Sequence, residues 1–304
     1  MDWEQSWNKL VVTGGAGNAS ADHSEAFDLT NVDGQCDRIP LLPVQIYGAE
    51  LGVMDDVPII CGVINDCYAL KNGSWSLFTH LDQPRRYYGA LVVDRFNGHE
   101  ELWISGGESR PPYIYESTEV VTLEGVRQGP KLARPVLAHC MVEFKGQVFI
   151  IGGMSIGFPF NKETDEVYVY DDETDEFILH SRLNHPRLGL MCGVVKNAQG
   201  QEQIVVAGGS YKLNVIGSEV EFLSAGNSSW TIGSDLPVPL KGAASVQGDG
   251  TIFLVGGTSD SGNSAQIFEF DSQAERFVEH EISLTKARAE PAATLVPDNV
   301  VSCS

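Results

Sequence analysis

Short apolar runs alternate with polar, glycine-rich breaks, and one such phrase returns along the whole chain. Apolar residues lead into a glycine pair in Leu10-Val11-Val12-Thr13-Gly14-Gly15, Leu102-Trp103-Ile104-Ser105-Gly106-Gly107 and Val148-Phe149-Ile150-Ile151-Gly152-Gly153. The phrase returns in Ile204-Val205-Val206-Ala207-Gly208-Gly209 and Ile252-Phe253-Leu254-Val255-Gly256-Gly257, with a degenerate copy in Ile59-Ile60-Cys61-Gly62. From Gly14 through Gly62, Gly106, Gly152, Gly208 and Gly256 the steps are 48, 44, 46, 56 and 48 residues. Self-similarity at this period marks a repeat architecture.

Each repeat holds four strand-like pieces. In the fourth they read Leu137–Val142, Gln147–Ile151, Glu166–Tyr170 and Glu176–Leu179, with the turn Asp171-Asp172-Glu173-Thr174 before the last. Such pieces, bounded by Gly, Asn and Asp, predict all-β structure, and no useful stretch has a 3.6-residue period. Four short strands per repeat are the size of a propeller blade, so six glycine steps predict six blades. The chain starts on a second-strand phrase, and Pro291–Val296 has the first-strand pattern with no glycine step after it. The C-terminal strand is therefore expected to pair into blade one and cover both open edges.

These residues give the chain a resemblance to kelch-repeat proteins. The resemblance rests on the glycine steps, on a recurring glutamate (Glu25, Glu119, Glu166, Glu219, with Gln266 in its place in blade six), and on a late aromatic (Trp75, Phe177, Trp230, Phe277). The run around Cys61 and Cys67, with Cys303 at the end, is similar to a cysteine-bearing invertebrate subset of that family. The resemblance implies one six-bladed propeller over 1–304. Its blades would be approximately 1–37 with 283–304, then 38–78, 79–128, 129–179, 180–232 and 233–282.

A formal charge of −21, from 41 acidic and 20 basic residues, disfavours nucleic acid and anionic membranes as partners. No apolar run reaches the ~20 residues of a membrane helix, and no signal peptide is seen at Met1. The expected location is cytoplasmic by default, with a secreted alternative. Of six cysteines, Cys140 and Cys192 lie in apolar strand patterns and read as core hydrophobes, whereas Cys61 and Cys67 have a spacing that can bridge a hairpin. Asn18-Ala19-Ser20, Asn72-Gly73-Ser74 and Asn227-Ser228-Ser229 match the N-glycosylation pattern.

A cation recurs before most first strands: Arg86, Arg134, Arg187, Lys241 and Arg288. First strands of a propeller line its central channel, so these side chains are expected around one mouth. Guanidinium groups there suit acidic ligands, and the kelch resemblance implies such contacts. The other reading pairs each arginine with the recurring glutamate inside the fold. Tyr88, beside Tyr87, and His139 join the candidate ligand-binding set. The loops Glu108–Tyr113 and Met154–Phe160 are candidate contact patches.

No His-x-x-x-His, paired-cysteine or Gly-x-Ser-x-Gly pattern occurs, and no cofactor or metal is implied. The expected function is a non-catalytic module that binds a protein or peptide. A sugar-active kelch enzyme using Arg134, His139 and Arg187 is an alternative. A scaffold or matrix protein working through its outer loops is another.

Overall fold

The computed structural model describes residues 7–17, 21–34, 36–62, 64–94, 99–109, 113–156, 162–212 and 215–304. Among these residues every regular element is a strand. The expected contact loops fall partly outside them, at 110–112 and 157–160. So does Asn18-Ala19-Ser20.

Antiparallel sheets follow one another along the chain in an arrangement consistent with a propeller. The first holds β1 (Lys9–Thr13) and β2 (Ser24–Asp28). The second holds β3 (Leu51–Met54), β4 (Val57–Cys61), β5 (Asp66–Lys71) and β6 (Ser74–His80). The third holds β7 (Gly89–Asp94), β8 (Glu100–Ser105), β9 (Thr118–Thr122) and β10 (Gly125–Gln128). The fourth holds β11 (Cys140–Phe144), β12 (Gln147–Ile151), β13 (Glu166–Asp171) and β14 (Glu176–Arg182). The fifth holds β15 (Met191–Lys196), β16 (Glu202–Ala207), β17 (Val220–Ser224) and β18 (Thr231–Ile232). The sixth holds β19 (Ala244–Gln247), β20 (Ile252–Val255), β21 (Gln266–Asp271) and β22 (Arg276–Ser283). The last strand, β23 (Ala292–Val296), returns to β1, with Thr13 opposite Ala292 and Lys9 opposite Val296. The expected pairing of the two ends of the chain is present.

The apolar runs are explained by burial on both faces. On β16, Ile204 and Val206 pack toward Cys192, Phe149 and Ile151, while Val205 and Ala207 pack toward Ile252, Leu254 and Phe268. A strand between two neighbours has no wet face, so its polar alternation disappears. Each such Val or Ile contributes about 1.5–3 kcal/mol by burial. The late aromatics Trp75, Phe177, Trp230 and Phe277 are all buried and close these layers.

Innermost strands touch in the order β23, β3, β7, β11, β15, β19 and back to β23. Just before each of them stands a residue with a left-handed backbone: Gly48, Tyr87, Ala138, Gly189, Gly242 and Glu290, with φ between 50 and 61°. Each donates its N–H to the carbonyl of the preceding one: Tyr87 to Gly48, Ala138 to Tyr87, Gly189 to Ala138, Gly242 to Gly189, Glu290 to Gly242 and Gly48 to Glu290 (2.5–3.3 Å). Six peptide groups thus close one hydrogen-bonded ring. The left-handed Ala138 also corrects an expected boundary. The first strand of the fourth sheet starts at Cys140, and Val136–Leu137 forms a separate short strand against Met154–Ser155.

The cysteines correct another expectation. Cys140 and Cys192 are not free core thiols but a disulfide joining β11 to β15. These strands are neighbours in space, which a sequence separation of 52 conceals. Cys61–Cys67 bridges β4 and β5, as their spacing allowed, and Cys36–Cys303 ties the early chain to its end. No free cysteine remains.

Candidate functional site

A channel of about 950 Å³ runs between the innermost strands. Its wall is mostly small and apolar, and its polar lining near the backbone ring comes from Glu50, Tyr87, Glu108, Lys241 and Glu290. That is the mouth where the cations were expected.

Arg187 and Arg288 do not face it. They are 1% and 0% exposed, and the equivalent residue of the third sheet is Arg85, also 1% exposed, rather than Arg86. Each stands two residues before its ring member (Gly189, Glu290, Tyr87). All three make the same bonds. One guanidinium nitrogen donates to the first carbonyl of the glycine step: Arg85 to Gly106, Arg187 to Gly208, Arg288 to Gly14. The same nitrogen reaches the carbonyl of Ser117, Glu219 or His23. The other terminal nitrogen pairs with Glu119, Glu221 or Glu25. The second oxygen of each glutamate accepts a backbone N–H, from Asp82, Asn184 or Thr285. Two carbonyls of the turn region and both carboxylate oxygens are thereby satisfied, with only Arg85 Nε left unpartnered, so these arginines are architecture.

The arrangement alternates. At the arginine position the second, fourth and sixth sheets carry Ile46, Val136 and Leu240. At the glutamate position they carry Tyr68, Tyr168 and Phe268, by the register of each strand pair. Tyr68 and Tyr168 turn their hydroxyls to Asp66 (3.0 Å) and Glu166 (2.9 Å), two residues earlier. Glu166, Glu219 and Gln266 are therefore out of frame with Glu25 and Glu119, and the true equivalent in the fifth sheet is Glu221. The side-chain pattern repeats every two sheets.

The remaining candidates separate. Arg134 is half exposed, pairs with Glu166 at 3.1 Å and lies outside the channel lining. Tyr88 is 2% exposed and donates to the Cys61 carbonyl at 2.8 Å, so it is a packing residue. His139 is 3% exposed, with Nε2 on Ser105 Oγ at 2.8 Å. Its ring fills the space left by Gly89 and Gly106. Burial drives its pKa down to about 3, which keeps it neutral. The trio Arg134, His139 and Arg187 shares no site.

Lys241 lines the mouth, and Arg86, at the equivalent position directly before Tyr87, stands behind the lining residues Tyr87 and Glu108. Arg86 donates to Glu108 (2.9 Å) and to the Tyr47 hydroxyl (2.6 Å), and its guanidinium lies over the Tyr47 and Tyr87 rings at 5.5 and 5.1 Å. Tyr47 occupies the Arg86 position of the second sheet. Across the mouth Glu290 meets Tyr87, with the Lys241 charge nearby; burial raises its pKa and these neighbours oppose the rise. The mouth thus carries both signs of charge.

Glu50 was not foreseen. It sits in the channel wall on β3's approach and accepts the Ala90 N–H at 2.7 Å. Burial raises its pKa to about 8, so it is largely protonated at neutral pH. Its single acidic position between Ala49 and Leu51 was the available signal. Among the described residues no cluster of three or more His, Cys, Asp or Glu side chains is placed to hold a metal ion.

No family model and no curated protein matches the sequence. Among solved structures, that of YjhT is similar with a TM-score of 0.67 at 14% identity, over 83% of this chain and 88% of that one. Likeness at that identity concerns the fold.

Proposed function

We propose that the chain is a six-bladed propeller of kelch type, closed by its C-terminal strand, which acts as a non-catalytic binding module. The ring of six peptide hydrogen bonds and the return of β23 to β1 support six blades and closure. The reading of function is carried by the Arg86 cluster. A guanidinium held between Tyr47, Tyr87 and Glu108 at the rim of a channel is the residue chemistry of protein-binding hot spots. The ligand is a protein or peptide segment. With Arg187 and Arg288 consumed internally, Arg86 and Lys241 stand against Glu108 and Glu290. The segment is therefore expected to present both signs of charge rather than a purely acidic face.

Affinity capture from native extract with wild type and Arg86→Ala/Lys241→Ala tests this. Partners recovered by wild type are expected to fall at least tenfold with the variant, while the variant stays folded with a single cooperative urea transition. Equal recovery of the same partners by both proteins refutes the reading.

A further inference from the structure

We infer that Asn72 and Asn227 are N-linked glycosylation sites and that the protein matures in an oxidising secretory compartment. Two independent features point to this. All six cysteines are placed for three disulfides, and none remains free. Disulfides persist where thiols are not held reduced, which is the compartment where asparagine is glycosylated. The two acceptor patterns, Asn72-Gly73-Ser74 and Asn227-Ser228-Ser229, both fall on exposed turns.

The turns are equivalent. Asn72 and Gly73 form the two-residue hairpin between β5 and β6, with φ of 50 and 69° and Lys71 opposite Ser74. Asn227 closes the turn after β17, donating its N–H to the Ser224 carbonyl at 3.1 Å. Each therefore joins the third strand of its sheet to the fourth. Strand direction alternates from the ring outward, so both turns lie at the end of their sheets away from the ring and from Arg86. Among the described residues, neither side-chain amide is engaged by another side chain. A bulky glycan at either turn displaces no packed group and leaves the ring-side mouth open.

In the reaction, the side-chain nitrogen of the asparagine forms a bond to the anomeric carbon of a lipid-linked oligosaccharide. The bond from that carbon to the donor's pyrophosphate oxygen breaks, the lipid pyrophosphate leaves, and the amide nitrogen loses one proton.

The test uses the full chain isolated from its native source. Peptides spanning residues 72 and 227 are expected to appear only after peptide N-glycosidase treatment, with Asp in place of Asn. Without reduction, no cysteine is expected to react with an alkylating reagent. In a glycosylating host, Asn72→Gln and Asn227→Gln are each expected to remove one glycan step on a gel, and Ser74→Ala and Ser229→Ala the same steps. Unmodified Asn at either position in the native protein overturns that site. Six alkylatable thiols in the native protein overturn the compartment.

Discussion

Replacing Arg187 with methionine keeps most of the side-chain volume and removes the charge. Four interactions vanish together: those with the His185, Gly208 and Glu219 carbonyls and with the Glu221 carboxylate. Glu221 is 0% exposed, so its charge stays buried, held only by the N–H of Asn184 (2.8 Å) and that residue's side-chain amide (2.7 Å). Breaking a buried pair from one side costs about 3–5 kcal/mol, a large share of the roughly 5–15 kcal/mol that hold a domain folded. In Arg187→Met/Glu221→Gln the buried charge is gone while an oxygen remains for the Asn184 N–H. That variant is expected to regain at least half of the loss. Urea unfolding followed by tryptophan fluorescence reads the difference, because Trp230 is buried beside the pair and its carbonyl accepts from Asn184 at 3.2 Å. Arg85→Met and Arg288→Met serve as replicates, and Arg86→Ala, at a partly buried pair, as the contrast with a smaller loss. If Arg187→Met unfolds within about 0.5 kcal/mol of wild type, a scale typical of surface changes, the architectural assignment is wrong.

Two other perturbations test the same structure. The disulfides join cysteines separated by 267, 52 and 6 positions. In the chain-entropy account this corresponds to about 6, 4 and 2 kcal/mol of unfolded-state entropy for Cys36–Cys303, Cys140–Cys192 and Cys61–Cys67. Paired Cys→Ser variants should lower stability in that order, and a Cys61/Cys67 loss equal to the Cys36/Cys303 loss would refute it. For Glu50 the folded pKa of about 8 lies above the ordinary glutamate value of 4.5. Its contribution is therefore full below about 4.5 and is lost as pH rises through about 8. Glu50→Gln should leave urea midpoints near those of wild type at pH 4, exceed them increasingly from about pH 5 to 8 and by a constant margin above that; a pH-independent difference counts against the buried carboxyl.

The alternation of sheets has a physical basis. Each glycine step leaves turn carbonyls facing the interior, where unpaired polar groups are costly. In the first, third and fifth sheets an arginine supplies the donors, and a glutamate balances its charge. In the second, fourth and sixth an aliphatic side chain takes the arginine's place and an aromatic the glutamate's. Neither solution needs the other, but each must be complete within its own sheet. A lone arginine or a lone glutamate would leave a buried charge.

The sequence alone determined the strands, their period and the joining of the two ends, because these depend on local alternation and on recurrence along the chain. Apolar runs into glycine could be counted, and the missing first strand of the opening repeat was visible in Pro291–Val296. The positions of the arginines were not readable in the same way. Arg85 and Arg86 are adjacent in the segment before a first strand, where no two-residue period fixes direction. The left-handed turn at Tyr87 decides which of them enters the sheet. The glutamate frame slipped by two residues for a related reason: Glu219 and Glu221 both stand in a plausible pattern, and only pairing with Val206 identifies the latter. Cys140 with Cys192, and Glu50 with Ala90, are contacts between neighbouring sheets. Their chemistry arises where distant segments meet, so tertiary structure had to decide it.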